Sequence, residues 1–238
     1  MKKTTIFSFL FLAASLTSQA FAGPFVDAGG APATPSKYEV TIKSIEFRNK
    51  DTGNYVPYFS GESKLDIASV VPGGTGGFIG KNTAITPGTY DKMRVTVSTS
   101  FSMKGSASNV GPAVPAATCS TGGTGTDEIS GYTVNIALLN GTTADQTLSV
   151  PPEVATDKVV KPAGVTFTSN AVQIVTDINI TVPPKSTSLP DGLSVRFDVP
   201  GTLEFLNTGT TCYGLALPPI MTITTPDGSS YTFQVQLT

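Results

Sequence analysis

The residues from 85 to 105 alternate between apolar and polar side chains more regularly than any other part of the chain. The large apolar side chains stand at odd positions: Met93, Val95, Val97, Phe101 and Met103. The positions between them carry lysine, arginine, serine and threonine. A period of two is that of a β-strand with one buried face and one face in water. A slip of one residue would expose all five apolar groups, so the pattern predicts one strand register.

The dipeptide Pro87-Gly88 stands immediately before this strand. Proline presets φ for the first central position of a type II turn, and glycine accepts the positive φ of the second. The pair therefore predicts that the chain reverses just before the strand begins.

Several other stretches show the same alternation, separated by turn-forming dipeptides. They lie at 38–47, 132–138, 172–182, 193–199, 221–223 and 231–237. In the first of them the phase shifts at Ser44, which predicts a β-bulge there. No stretch keeps a period of 3.6 residues, so we expect little helix. Many short alternating strands of this kind form a two-sheet sandwich or a barrel.

The first 22 residues have the composition of an export signal. Two lysines precede a short apolar run, and Ala20 and Ala22 bracket Phe21 as in an A-x-A cleavage site. We therefore expect cleavage after Ala22 and export to the periplasm, the cell surface or the medium. No cysteine follows the cleavage site to carry a lipid, and no later segment has the length and apolarity of a membrane span.

The remaining chain is predicted to fold as one large domain. Residues 23–36 contain three prolines and little periodicity, which indicates a flexible N-terminal segment before a single domain over 37–238. Without the signal, 13 basic residues (15 minus 2) face 17 acidic ones. A net charge of about −4 is a poor match for nucleic acid or an anionic membrane, so neither is an expected partner.

The only two cysteines are Cys119 and Cys212. An even number of cysteines in an exported protein predicts one disulfide, although two buried free thiols remain the alternative. A bridge that closes so long a stretch of chain contributes about 4 to 5 kcal/mol in the loop-entropy account. Cys119 stands in a stretch at 105–128 that is rich in glycine, serine, alanine and proline, and this stretch is predicted to be a long loop.

The chain contains no histidine. This excludes Ser-His-Asp and Cys-His nucleophile systems and histidine-ligated zinc, and we predict no catalytic residue, cofactor or metal ligand. The glycine-rich loop at 73–80 lacks the spacing of a phosphate-binding loop. Asp177 and Asn179, with Asp198 nearby, could bind a hard cation, but a solvated polar face is the favoured interpretation.

Three tyrosines are the candidate ligand contacts: Tyr55, Tyr58 and Tyr90. Together they could form a patch on which a sugar ring stacks. The favoured alternative is that each ring is a half-buried packing residue of a strand.

The order of several short motifs resembles a widespread family of exported bacterial domains of unknown function. In the first half the motifs are "YEVTIKSIEF" (38–47), "GNYVPY" (53–58), "KLDIASV" (64–70) and "ITPGTYDKMRVTVS" (85–98). In the second half they are "TLSVPP" (147–152), "GVTFTSNAVQIVTDINI" (164–180) and "YGLALPPI" (213–220). The resemblance implies an all-β, two-sheet antiparallel β-sandwich of the prealbumin or immunoglobulin-like type, with long Gly/Pro-rich loops and no catalytic residues.

These observations leave three functional hypotheses. The first is a non-catalytic exported β-sandwich that acts through its surface, as a cell-envelope or extracellular matrix component or as a binding module. The second is a subunit of a pilus-like filament, in which residues 23–36 or 231–237 pair with a sheet edge of the next copy. The third is a carbohydrate-binding module that uses Tyr55, Tyr58 and the loop at 73–80. The expected partners are therefore the protein itself or a cell-surface polymer.

Overall fold

A computed structural model of the chain describes residues 24–69, 84–113, 116–129, 132–149, 159–160, 164–168, 170–184, 194–224, 228–233 and 236–237. Within these ranges the chain forms strands and a single helix of four residues. The predicted all-β class is thereby confirmed. None of the helical structure in these ranges is long and apolar enough to cross a membrane.

The helix α1 spans Pro24–Asp27. The first ten strands are β1 (Ala31–Ala33), β2 (Lys37–Asn49), β3 (Tyr55–Asp66), β4 (Gly88–Ser98), β5 (Ser100–Lys104), β6 (Ser106–Val110), β7 (Ala117–Ser120), β8 (Thr126–Ile129), β9 (Tyr132–Leu139) and β10 (Gln146–Ser149). The remaining nine are β11 (Val159–Val160), β12 (Val165–Thr168), β13 (Ala171–Val182), β14 (Ser194–Asp198), β15 (Leu203–Asn207), β16 (Cys212–Ala216), β17 (Ile220–Thr224), β18 (Ser230–Phe233) and β19 (Gln236–Leu237).

The described strands form two seven-stranded antiparallel sheets and two smaller ones. The first sheet has the order β1-β15-β16-β9-β7-β6, and β8 also pairs with β9. The second has the order β10-β5-β2-β4-β13-β12, and β3 also pairs with β2. A three-stranded sheet, β14-β17-β18, and the pair β11-β19 complete the described structure.

The alternation in β4 and β5 is confirmed. Met93, Val95, Phe101 and Met103 are buried, and Val97 is half-buried against the same core. The turn before β4 differs from the prediction, because Gly88 has a φ of 154° and is already the first residue of the strand. A type II turn needs a φ near +80° at that position. Glycine is favoured at position 88 because the backbone there is extended but has a positive φ, which residues with a side chain rarely adopt.

The predicted bulge in β2 is also confirmed. The register of β2 with both β3 and β4 shifts between Ile42 and Ser44. Burial follows the shift: Val40 and Ile42 are buried before it, and Ile45 and Phe47 after it. The extra residue rotates the strand so that both halves direct their apolar face to one core.

The main core draws buried side chains from both seven-stranded sheets and from the three-stranded sheet. The largest completely buried side chains include Tyr38, Phe47, Tyr90, Phe205 and Met93. Phe47 meets Tyr58 and Tyr90 edge to face, at centroid distances of 5.5 and 6.0 Å. Such edge-to-face pairs are favoured over flat stacking.

A second apolar cluster lies on the other face of the first sheet. It consists of Phe25, Val134, Leu206, Tyr213 and Leu215. The alternating apolar residues of β9 therefore belong in part to this cluster, and Ala137 is the β9 residue that contacts the main core. Periodicity predicts that a strand has an apolar face, but it carries no information about which of two clusters that face meets.

The N-terminal segment 23–36 differs from the predicted flexible lead-in over its described residues. Phe25 is only 2% exposed, and β1 pairs antiparallel with β15. At the turn between α1 and β1, a Cβ on Gly30 would lie 2.3 Å from the carbonyl oxygen of Phe205. Only glycine permits this close approach. The three residues of β1 are small or proline and give no periodic signal, so the pairing was not visible in the sequence.

The stretch 105–128 also differs from the predicted long loop, because it contains β6, β7 and the start of β8. Cys119 lies in β7 and Cys212 begins β16, and the two form the predicted disulfide across a sequence separation of 93. Both cysteines are completely buried. Their strands pair with β9 at Leu139 and Ala137, respectively. The bridge therefore joins the strands on either side of β9.

Candidate functional site

The outer face of the second sheet carries a group of interacting polar side chains. We call it the outer strip and define it by Glu46 and Arg48 of β2, Tyr55 of β3, and Asp91 and Arg94 of β4. Because Ile45, Phe47 and Met93 point into the core, their neighbours Glu46, Arg48 and Arg94 point outward.

The pair formed by Glu46 and Arg94 lies at the centre of the outer strip. The two residues are direct partners in the β2–β4 register. Arg94 donates from Nε to Oε2 at 2.7 Å and from Nη2 to Oε1 at 2.8 Å. Its guanidinium also lies over the Tyr55 ring, 3.8 Å from the centroid. This geometry combines a bidentate ion pair with a cation–π contact and holds the guanidinium plane in one orientation.

A second bidentate pair joins Arg48 to Asp91. Arg48 donates from Nε to Oδ1 at 2.8 Å and from Nη2 to Oδ2 at 2.6 Å. In the β2–β4 register Arg48 is opposite Lys92, and Asn49 is opposite Tyr90. Asp91 is therefore the extra residue of a bulge, and this irregularity brings its carboxylate to Arg48.

The ion pairs determine the charge state of the strip. The hydrogen bonds from Arg48 hold the pKa of the Asp91 carboxyl below its ordinary value. The hydrogen bonds that Arg94 donates to Glu46 raise the pKa of its guanidinium, and those that Arg48 donates to Asp91 raise the pKa of Arg48. These shifts favour the charged forms of Asp91, Arg48 and Arg94.

Each arginine keeps one nitrogen for a further partner. Nη1 of Arg48 and Nη1 of Arg94 donate no hydrogen bond to the part of the chain that the structure describes. A carboxylate oxygen has lone pairs for more than one hydrogen bond, so the oxygens of Glu46 and Asp91 can accept further donors. The side chains of Arg48 and Arg94 are 31% and 26% exposed, so both arginines are partly accessible to solvent. The outer strip thus presents fixed donors beside fixed acceptors.

The structure does not bring the three candidate tyrosines together at the surface. Tyr90 is completely buried and bonded through its hydroxyl to Thr86, and Tyr58 is 4% exposed. A sugar ring needs an exposed aromatic face, which neither residue offers. Tyr55 alone belongs to the outer strip, half-buried with Arg94 over its ring. The proposed stacking patch is corrected to a single tyrosine, because the other two rings complete the core.

The other candidates from the sequence have different outcomes. The glycine-rich loop at 73–80 lies outside the described residues. Asp177 forms an ion pair with Lys92, and Asp198 forms one with Arg196 at 2.9 Å. Within the described ranges no three potential ligands from His, Cys, Asp and Glu gather in one place.

The charged members of the outer strip were not singled out from the sequence. A signal was present, because β2 reads E-x-R and β4 reads K-x-R on their polar faces. Opposite charges on neighbouring strands of one sheet predict cross-strand pairs. The signal could not be used without knowing that β2 pairs with β4, since β3 lies between them in sequence.

No family model, no curated protein and no solved structure matches this chain.

Proposed function

We propose that this protein is a non-catalytic exported β-sandwich of the prealbumin-like type. In this proposal it acts in the cell envelope or extracellular matrix by binding a surface polymer. The signal-like residues 1–22, the disulfide and the motif order support export and the sandwich architecture. The two seven-stranded antiparallel sheets, which share one core, are compatible with a sandwich.

The observation that carries the binding proposal is the pair of bidentate arginines in the outer strip. Their orientation is set by Glu46 and Asp91 before any ligand arrives, so little side-chain entropy is lost on binding. Each Nη1, which has no hydrogen-bond acceptor among the described residues, lies beside carboxylate oxygens that can still accept. A sugar hydroxyl both donates and accepts, which matches this arrangement. We infer that the ligand is a hydroxyl-rich polymer such as a polysaccharide.

The same geometry argues against acid–base chemistry at the strip. A carboxyl that acts as a general acid needs a raised pKa, since it must hold a proton at working pH. The pKa of Asp91 is shifted in the opposite direction by Arg48. Asp91 therefore serves in this proposal as a fixed acceptor and not as a proton donor.

Retention of the purified mature protein on polysaccharides tests this proposal. Peptidoglycan and cellulose can be used in co-sedimentation, and soluble dextran and alginate in affinity electrophoresis. The variant Arg48→Ala/Arg94→Ala should lose retention that the wild type shows. The control variant Lys43→Ala/Lys64→Ala removes the same amount of positive charge from other positions of β2 and β3. This control should be retained on the polysaccharide as the wild type is. Equal retention of wild type and arginine variant, both folded, would contradict the proposal.

A second candidate function is a filament subunit assembled by strand pairing. It is favoured by β1, a short N-terminal strand that adds to the edge strand β15 with Ala31 opposite Phe205. Phe25 anchors the same segment in the second cluster. The same strand could occupy the β15 edge of a neighbouring copy, as in donated-strand assembly.

Negative-stain electron microscopy of the mature protein tests the filament hypothesis. Ordered filaments that shorten when a synthetic peptide of residues 24–36 is added would support it, since the peptide competes for the β15 edge. Single particles at all concentrations would contradict it and leave the polymer-binding proposal unaffected.

A further inference from the structure

Strand β13 contains the sequence D-x-N-x-T, whose named positions are Asp177, Asn179 and Thr181. An asparagine followed two positions later by serine or threonine, with no proline between them, is the acceptor motif for N-linked oligosaccharides in exported proteins. The form of the motif that bacterial transferases use adds an acidic residue two positions before the asparagine. Asp177 occupies that position, so the motif is complete in this strand.

The strand places the three polar side chains of the motif on one exposed face. Successive side chains of a β-strand point to opposite faces, so positions two apart share a face. Burial follows this rule, because the two isoleucines within the motif are buried and its three polar residues are exposed. The side chain of Asp177 is 69% exposed. An enzyme can therefore contact the carboxylate, the amide and the hydroxyl from the same side of the sheet.

The side chain of Asn179 is not used to stabilise the fold. Within the part of the chain that the structure describes, neither its amide nor the hydroxyl of Thr181 forms a hydrogen bond. Asp177 forms its ion pair with Lys92 through Oδ1, and its Oδ2 has no donor among the described residues. The amide nitrogen of Asn179 can therefore carry a substituent without the loss of a contact that holds the sheet together.

The motif lies where β13 has a neighbouring strand on one side only. β12 pairs with β13 as far as Ile174. From Asp177 onward, β4 is the partner of β13 among the described strands. The register between them shifts between Asp177 and Ile180, which places Asn179 in a bulge. Fewer ladder hydrogen bonds hold a bulged edge segment than a central one, so this segment is the more accessible to an enzyme.

The chain contains one other N-x-S/T motif, which starts at Asn140, and it differs from the first in two respects. Leu138 stands where the acidic residue would be. The side chain of Asn140 is also occupied, because its Oδ1 accepts a hydrogen bond from the backbone nitrogen of Thr118 at 3.0 Å. The backbone nitrogen of Asn140 in turn donates to the Thr118 carbonyl at 2.7 Å. Asn140 is thus tied to β7, whereas no described residue holds the side chain of Asn179.

From this arrangement we propose that Asn179 is a glycosylation site, at which an oligosaccharide is attached to the amide nitrogen after export. The donor is an oligosaccharide linked through pyrophosphate to a lipid. A bond forms between Nδ2 and the anomeric carbon of the sugar, and the bond from that carbon to the pyrophosphate oxygen breaks. The departing lipid pyrophosphate takes the bonding electron pair and, in the overall balance, one proton from Nδ2. The inference rests on the proposed export and goes beyond the polymer-binding function.

Mass spectrometry of the protein purified from the envelope or medium of its own host tests the proposal. The peptide that contains residues 177–181 should be heavier than its sequence by the mass of an oligosaccharide, and fragmentation should place the sugar on Asn179. The variant Asn179→Gln should lose the added mass, and the matched control Asn140→Gln should keep it. An unmodified Asn179 in the wild-type protein, or a sugar on Asn140 alone, would overturn the proposal.

Two substitutions of Thr181 test recognition while the acceptor asparagine stays in place. Thr181→Ser keeps the hydroxyl that the motif requires and should remain glycosylated. Thr181→Val has nearly the same shape and suits a β-strand, so the protein should fold, but without the hydroxyl it should lose the sugar. Equal glycosylation of the serine and valine variants would show that the motif is not what the transferase reads, and would overturn the proposal.

Retention on polysaccharides separates this inference from the proposed function. The Asn179→Gln protein lacks the acceptor but keeps the outer strip, so it should still be retained. An unmodified wild-type protein that is retained would overturn the glycosylation site alone. A glycosylated wild-type protein that is not retained would support the glycosylation site and contradict polymer binding.

Discussion

The guanidinium of Arg94 is held by Glu46 through two hydrogen bonds of 2.7 and 2.8 Å across the β2–β4 pair. The two residues are 48 positions apart in sequence. This contact, with Tyr55 beneath the guanidinium, makes the outer strip a rigid surface feature instead of a set of independent side chains.

The conservative substitution Arg94→Lys tests that rigidity. Lysine keeps the charge but loses the bidentate geometry and the planar contact with Tyr55. We expect a loss of about 1 kcal/mol in unfolding free energy by urea titration, together with weaker retention on polysaccharide. Lys92→Arg, on the same strand, serves as the control. Unchanged stability and retention of the Arg94→Lys protein would show that the bidentate geometry has no role.

The Arg48–Asp91 pair predicts a pH dependence of stability. Because the folded pKa of Asp91 is lowered, its stabilisation is complete above the ordinary carboxyl pKa of about 4. It is lost as the pH falls through the folded value. At about pH 6 the wild-type protein should therefore have a higher melting temperature than the Asp91→Asn variant. At about pH 2 the two melting temperatures should be equal.

The control for this experiment is Glu62→Gln, which removes an exposed carboxylate of β3. A difference between wild type and Asp91→Asn that stays constant down to about pH 2 would contradict the assigned ion pair.

The disulfide is predicted to be a major contributor to stability. Cys119 and Cys212 close a loop across a sequence separation of 93, for which the loop-entropy account gives about 4 to 5 kcal/mol. The Cys119→Ser/Cys212→Ser variant and the reduced wild type should both melt well below the oxidised protein. Reductant should leave the serine variant unchanged. Equal melting of oxidised and reduced wild type would mean that the bridge contributes no stability.

The inward face of β4 is tested by placing a charge on it. Val95 is buried. The substitution Val95→Asp should therefore lower the free energy of unfolding by about 4 kcal/mol or more and reduce the yield of exported protein. Thr96→Asp places the same charge on the neighbouring outward position and should be tolerated. Normal melting of the Val95→Asp protein would show that the assigned face is wrong.

The attachment of the N-terminal segment is tested at Gly30. A Cβ at this position would come within 2.3 Å of the Phe205 carbonyl oxygen and 2.7 Å of that of Phe25. We expect Gly30→Ala to lower the free energy of unfolding by about 1 to 3 kcal/mol, as measured by thermal or urea denaturation. Ala28→Ser adds one heavy atom at an exposed site of the same segment and should have little effect. Similar melting of the two variants would argue against close packing of this segment on β15.

Local features of the fold were predictable from the sequence. The alternation of β4 and β5 and the bulge at Ser44 depend on residues close together in the chain, and so does the turn that the structure shows at 49–54. In that turn the side chain of Asn49 accepts hydrogen bonds from the backbone nitrogens of Asp51 and Thr52, as a turn-forming asparagine does. The disulfide was also predictable, because two cysteines allow only one intramolecular pairing.

The tertiary structure alone decided which residues form the outer strip and which become core. Strand periodicity is a local property, whereas the partner of a strand depends on contacts made by residues far apart in sequence. Tyr55 and Tyr58 come from one strand, yet only Tyr55 lies on the outer face, because Tyr58 packs on Phe47. Likewise, Glu204 is buried because Phe25, 179 positions earlier, packs over its side of the sheet. The free energy of burying such groups depends on what covers them, and that is settled only when the whole chain has folded.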